Sequence, residues 1–225
     1  MESNSVAIIS KDESLVHAVK TSLGLDGFDI TDIPDFTSLP RPIPGAVILD
    51  ASASGEFNLC RRLHEDFSVP ILVLARGGDA ERIKALSAGA DDCMTKPINT
   101  VELVARIRKI VGRAGAKAQV SPQDKETLIT LNNLYIDPAR YQVKVDNREI
   151  KLTVTEFNLL LVLARQRGKV VTRQELLDQV WGNCRLQSDR TINVHVCRLR
   201  RKIEPDSHWP RRLVLVRGRG YKLER

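Results

Sequence analysis

At 225 residues the chain is long enough for two modest domains, each with its own core. No apolar run approaches the roughly 20 residues needed to cross a bilayer, and Met1-Glu-Ser-Asn lacks the basic start of a secretory signal, so a cytoplasmic protein without a membrane partner is expected. The net charge of +7 is unevenly placed: residues 125–225 carry 21 Lys/Arg against 11 Asp/Glu, a net +10, and residues 1–124 carry 14 against 17, a net −3. A basic C-terminal half beside a mildly acidic N-terminal half suggests a nucleic-acid module joined to something else. Cys60, Cys93, Cys184 and Cys197 have no CxxC spacing, so reduced thiols are expected rather than a zinc site or a disulfide framework.

In the N-terminal half, short apolar runs alternate with helical patterns. Val6 to Ile9 precedes Leu15 to Leu23, Ala46 to Leu49 precedes Phe57 to Leu63, Ile71 to Leu74 precedes Ile83 to Ala88, and Cys93-Met94 precedes Val101 to Val111. This is the pattern of a doubly wound, five-stranded parallel sheet with helices on both faces. Asp12, Asp50 and Lys96 fall where strands end and would converge at the carboxyl edge of the sheet, where such folds place their sites. Two carboxylates and a lysine there suit a divalent cation and a phosphoryl group. Taken singly, strand-end polar residues more often cap helices.

Ala46-Val-Ile-Leu-Asp50, Ala88-Gly-Ala-Asp-Asp92-Cys-Met-Thr-Lys96-Pro97 and Val101-Glu-Leu-Val-Ala-Arg106-Ile resemble the receiver domain of bacterial response regulators, over residues 1–112. The resemblance implies that Asp50 accepts a phosphoryl group from a histidine kinase, that Asp12 with Asp50 holds Mg²⁺, that Lys96 contacts phosphoryl oxygens, and that the Lys96-Pro97 bond is cis. Several departures stand against it. In the preferred register Lys11 takes the first place of the family's acidic pair, putting a cation beside the metal position and leaving Mg²⁺ weakly held. The segment after Asp50 is short and lacks the usual Pro-Gly turn. Ala75 stands where the family has a Ser or Thr that swings toward the phosphoryl group, and Cys93 replaces the aromatic residue whose rotation reports it. The pairing face survives: Arg82 with Glu102, and Asp92 with Arg106, match ion pairs formed across the receiver homodimer. A receiver that pairs with little or no need for phosphorylation is therefore expected.

Residues 113–125 are small, polar and aperiodic, as in a linker. The second domain, residues 126–225, opens with four β-type runs between Leu128 and Leu152, separated by Asn132-Asn133, Asp137-Pro138 and Asp146-Asn147. Thr153-Val-Thr-Glu156 and Thr172-Arg-Gln-Glu175 are capping boxes that each open a helix.

Arg190 to Lys202 then holds five Arg/Lys and one His in an amphipathic pattern. Ile192, Val196, Leu199 and Ile203, at spacings of four, three and four, form its buried face. Arg190, Val194, Cys197, Arg198 and Arg201 form the opposite stripe, with Asn193 and Arg200 along one edge and Thr191 and His195 along the other. Val194 has no packing reason to sit among cations, but it could meet a thymine methyl in a major groove, with Arg and Asn beside it reading guanine and adenine edges. A solvated basic face is the plain alternative. Leu213 to Leu223 reads as a hairpin turning at Gly218 and Gly220.

Two helices, a third presented outward and a hairpin make a winged helix-turn-helix. Leu152-Thr-x-Thr-Glu-Phe157, Gly168-Lys-Val-Val-Thr-Arg173, Val180-Trp-Gly182, Arg190-Thr-Ile-Asn-Val-His195, Arg198-Leu-Arg-Arg-Lys202 and Val216-Arg-Gly-x-Gly-Tyr221 resemble the effector domain of OmpR/PhoB-type regulators. The resemblance implies a transcription regulator bound to double-stranded DNA, with base reading by Asn193, Val194, Arg198 and Arg201. Phosphate positioning falls to Arg190, Thr191, His195 and Arg200, and Arg217 on the wing reaches a minor groove. It also places Arg185, between Gly182 and Ser188, at the contact with RNA polymerase. The competing readings are a conventional regulator activated through Asp50 and one gated by oxidation of Cys93 or Cys197. An enzyme is disfavoured, since no Ser, Cys or His falls in a catalytic constellation.

Overall fold

The computed structural model describes residues 4–51, 56–67, 69–115, 128–166, 168–181 and 189–224. The chain divides into two compact units, 1–116 and 117–225. In the first unit, β1 (Ser5–Ile9), β2 (Asp29–Ile33), β3 (Ala46–Ala51), β4 (Ile71–Ala75) and β5 (Asp92–Thr95) form one parallel sheet in the order β2-β1-β3-β4-β5. The inner strands β3 and β4 are buried along their whole length, which is why they read as unbroken apolar runs. Helices α1 (Glu13–Gly24) and α4 (Thr100–Gly115) cover one face, packing Val16, Val19, Leu23, Leu103 and Ile107 on Val6, Ile8, Ile48 and Leu74. Helices α2 (Glu56–Phe67) and α3 (Asp79–Ala88) pack on each other, and Cys60, Leu63, Ala85 and Leu86 are buried there.

Three features differ from the sequence reading. Strand β2 escaped it because Asp-Ile-Thr-Asp-Ile is half polar, as an edge strand with partial exposure permits. Between β2 and β3 the chain crosses without a helix: residues 34–45 contain Pro34, Pro40, Pro42 and Pro44, each of which removes a backbone donor, and Leu39 and Pro44 are the buried residues of this stretch. The Lys96-Pro97 bond is cis, as expected, and so is Arg41-Pro42. Helix α4 continues to Gly115, into the stretch that reads as linker from residue 113.

The second unit begins with an antiparallel sheet, β6 (Ile129–Leu131), β7 (Leu134–Asp137), β8 (Gln142–Val145) and β9 (Arg148–Ile150), paired in sequence order. Helix α5 (Val154–Arg165) follows, then β10 (Val171–Thr172), and α6 (Arg173–Leu176), which continues as a π-helical turn, Leu177–Trp181. Both capping boxes form, Thr153 with Glu156 and Thr172 with Glu175. Helix α7 (Asp189–Ile203) precedes the hairpin of β11 (Leu213–Val216) and β12 (Gly220–Leu223), and β10 joins it in the order β10-β12-β11. Phe157, Leu160, Leu176, Trp181, Ile192, Leu199, Leu213 and Tyr221 share one core, so the wing and all three helices rest on the same apolar centre.

Candidate DNA interface and receiver pocket

Helix α7 buries Ile192, Val196, Leu199 and Ile203, as its periodicity predicts. It also buries Thr191, His195 and Arg198, so its covered arc is wider than that stripe. His195 lies against Trp181 at the end of the π-helical turn, with ring centroids 5.1 Å apart. Arg198 keeps only 7% exposure. These three residues, expected among the DNA contacts, are therefore covered within the fold and not exposed along α7. Asp189, Arg190, Asn193, Cys197 and Arg201 are exposed, and Val194 is half-exposed among them.

The edge of that stripe is tied to the wing. Arg200 donates from Nε and Nη2 to the carbonyl of Leu213 at 3.0 and 2.8 Å, so it anchors β11 to α7. Its guanidinium also lies 6.0 Å from the centre of the Tyr221 ring, and that of Arg173 lies 5.2 Å from it. The amide oxygen of Asn193 accepts from the Tyr221 hydroxyl at 2.8 Å and from Arg173 Nη1 at 3.0 Å. Lys202 reaches back to α5, its ammonium 2.6 Å from a carboxylate oxygen of the buried Glu156.

At the tip of the wing Arg217, Gly218 and Arg219 are exposed, and Gly218 takes a φ of 70° that closes the turn, with Arg219 N donating to Val216 O at 3.0 Å. Arg217 thus stands where a groove could be reached. Arg219 is a second cation there that the sequence reading passed over, though the Arg-Gly-Arg-Gly turn signals it. Gly220 is obligatory for another reason: a Cβ on it would lie 2.0 Å from the carbonyl oxygen of Val171, where β10 crosses β12. Arg185 lies outside the described residues.

In the first unit, the buried carboxylate of Asp50, 5% exposed at the end of β3, sits between two donors. Lys96 Nζ is 2.6 Å from Oδ1, and the Ser10 hydroxyl donates to Oδ2 at 2.8 Å. Ser10 follows β1 directly and is the residue from that strand end that meets Asp50. Asp12, expected in the pocket and at the metal, turns to cap α1, accepting from Leu15 N at 3.0 Å, while its own N–H donates to Ser10 Oγ at 3.1 Å. Lys11, expected beside the metal position, pairs on the surface with Asp35 at 2.7 Å. Ala75 closes β4 fully buried, presenting only a methyl group, and its carbonyl accepts from Lys96 N at 2.8 Å. The structure therefore joins Asp50 and Lys96 and puts Asp12 to a different use.

Mg²⁺ is held by one or two carboxylates, with water or phosphate oxygens completing its shell; here Asp50 is matched by an ammonium and a hydroxyl donor, and Asp12 would have to leave its cap on α1 to join it at an ion. Among the described residues no group of three His, Cys, Asp or Glu side chains is placed to hold a metal ion.

The residues expected to pair across a dimer are already engaged within the chain. Arg106 of α4, almost fully buried, forms an ion pair with Asp92 of β5 and binds Glu102 one turn earlier, with Nε 2.8 Å from Oε1. Arg82 lies half-buried on α3. Cys93 is buried in β5, and that burial, with the charge of Asp92, pushes its thiol up to about 12, which keeps it protonated well above neutral pH. Cys197 is the exposed thiol among the described cysteines.

Residues 147–223 match the family described as "Transcriptional regulatory protein, C terminal". The sensory transduction protein RegX3 of Mycolicibacterium smegmatis is 37% identical, over 98% of this chain and 99% of its own. The phosphate regulon transcriptional regulatory protein PhoB of Rhizobium meliloti is 35% identical, over 97% and 98%. Among solved structures, a cysteine-to-serine mutant of RitR shares the fold at a TM-score of 0.74, with 23% identity and 98% of both chains covered. No described helix is long and apolar enough to cross a membrane. With a five-stranded receiver sheet followed by a winged helix-turn-helix, and with relatives aligned from end to end, the chain belongs to the OmpR/PhoB family of DNA-binding transcriptional response regulators.

Proposed function

We propose that this regulator acts in the cytoplasm as a receiver-paired homodimer on double-stranded DNA, with phosphorylation of Asp50 dispensable. The observation that carries this reading is the pairing of Asp50 with both Lys96 and Ser10. A carboxylate whose two oxygens are already matched by donors, with Asp12 turned away to cap α1, is a poor acceptor for phosphoryl transfer. The absence of a hydroxyl at Ala75 and of an aromatic ring at Cys93 removes the parts that would transmit such a change. Pairing is supported by the charged cluster of Asp92, Glu102 and Arg106 beside Val101, a large apolar side chain left 78% exposed on α4. Exchange of those intrachain ion pairs for equivalent ones across a two-fold axis would keep their charges balanced. Contact with RNA polymerase through Arg185 and control by a histidine kinase rest on the family resemblance.

Incubation of the full chain with acetyl phosphate and Mg²⁺, followed by intact mass and light scattering, tests the reading. The expected result is an unmodified mass with a dimer already present at micromolar concentration. A phosphorylated protein that dimerises only after modification would establish the conventional mechanism instead.

A further inference from the structure

The fixed amide of Asn193 bears on which base that residue reads. An Arg nitrogen has no acceptor capacity, so the Asn193 atom that faces Arg173 Nη1 at 3.0 Å is the carbonyl oxygen. The Tyr221 hydroxyl donates to the same oxygen at 2.8 Å. A carbonyl oxygen has two lone pairs, and both are used. Neither donor is loosely held: Tyr221 is 4% exposed in the core, and Arg173 stacks on its ring and pairs with Asp189 at 3.5 Å. Asn193 itself is exposed on the outward stripe of α7. The group it can offer a ligand is its NH₂, as a donor.

Bidentate reading of adenine by Asn requires the amide oxygen to accept from N6 while the NH₂ donates to N7. With that oxygen committed, the complementary edge is one that only accepts; of the two purines this is guanine, with N7 and O6, whereas adenine presents the N6 donor, and thymine offers the single acceptor O4. We propose that Asn193 is a donor-only reader that selects guanine over adenine, with Tyr221 and Arg173 as the positioning residues that set this preference. The inference replaces the sequence expectation that Asn193 serves adenine, and it rests on α7 entering the major groove.

The test is selection of binding sites from random duplexes by the full chain, by Asn193→Ala and by Tyr221→Phe. The position whose preference disappears in Asn193→Ala is the one this side chain reads. Wild-type protein should take guanine there, and 7-deazaguanine at that position should lower affinity by about tenfold. Tyr221→Phe frees one lone pair and should admit adenine at the same position while leaving the others unchanged. Selection of adenine by wild-type protein, or a site preference indifferent to Asn193→Ala, overturns the proposal. Arg201→Ala separates this from the broader reading: if it too leaves affinity intact, α7 is not the DNA-reading element.

Discussion

Lys202, near the end of the recognition helix, places its ammonium 2.6 Å from Glu156, whose carboxylate has no solvent exposure and also accepts from the backbone N–H of Thr153 at 3.0 Å. One carboxylate therefore caps α5 and fixes the far end of α7. A cation that looks like part of a DNA-facing run is structural.

Lys202→Met should accordingly destabilise the effector domain by about 2 kcal/mol, less than a fully buried pair because the ammonium keeps some solvent contact. Urea denaturation of the full chain, followed through the effector-domain transition, measures it. An unchanged midpoint would mean that Glu156 is satisfied without Lys202.

The wing offers a sharper case. Gly220→Ala drives a methyl group into the backbone of Val171, where neither partner is a flexible side chain. The expected cost is about 3 kcal/mol, the upper range for overpacking, accompanied by loss of DNA binding as the hairpin separates from β10. Thermal unfolding and a filter-binding assay on the same preparation read both effects.

Arg201 and Arg198 should part company. Exposed Arg201, replaced by Ala, should weaken DNA binding by about 1–3 kcal/mol with stability unchanged. Arg198→Ala should instead lower the unfolding midpoint, since the side chain is buried. Parallel titrations of labelled duplex and of urea separate the roles, and a stable Arg198→Ala protein with altered base preference would return that residue to the reading face.

Cys93 supplies a pH dependence. Burial and the neighbouring charge of Asp92 raise its thiol from the ordinary 9.0 to about 12 in the fold. The unfolded chain loses this proton first, so the stabilisation is complete below 9.0 and is lost as pH rises through about 12. Across that window the stability of wild-type protein should fall more steeply than that of Cys93→Ala, by at most ~1.4 kcal/mol per pH unit. Equal slopes in the two proteins would show the thiol to be solvated.

Much of this architecture was legible in the residues. Inner strands read as apolar runs because both their faces are covered, and the capping boxes at Thr153 and Thr172 marked helix starts through local hydrogen bonding alone. Strand β2 was not legible, because an edge strand needs no continuous apolar pattern. At the sites, composition identified the cations but not their partners. Arg200 and Lys202 share the charge of Arg201, and only tertiary placement commits the first to Leu213 and the second to Glu156. Ser10 lay hidden beside the more conspicuous Lys11 and Asp12, since a hydroxyl announces no chemistry until a buried carboxylate stands opposite it.

The crossover of residues 34–45 gives the receiver sheet an uneven grip on its own edge. On the side of β1 where a helix would clamp a parallel strand from end to end, Leu39 and Pro44 are the buried residues of the crossover, and β2 pairs with a single neighbour. Peeling β2 away would break one ladder and lift Ile30 from the core, and it would leave the ladders of β1, β3, β4 and β5 intact. Amide hydrogen exchange along the sheet should therefore rise toward β2 as a gradient instead of marking one cooperative block.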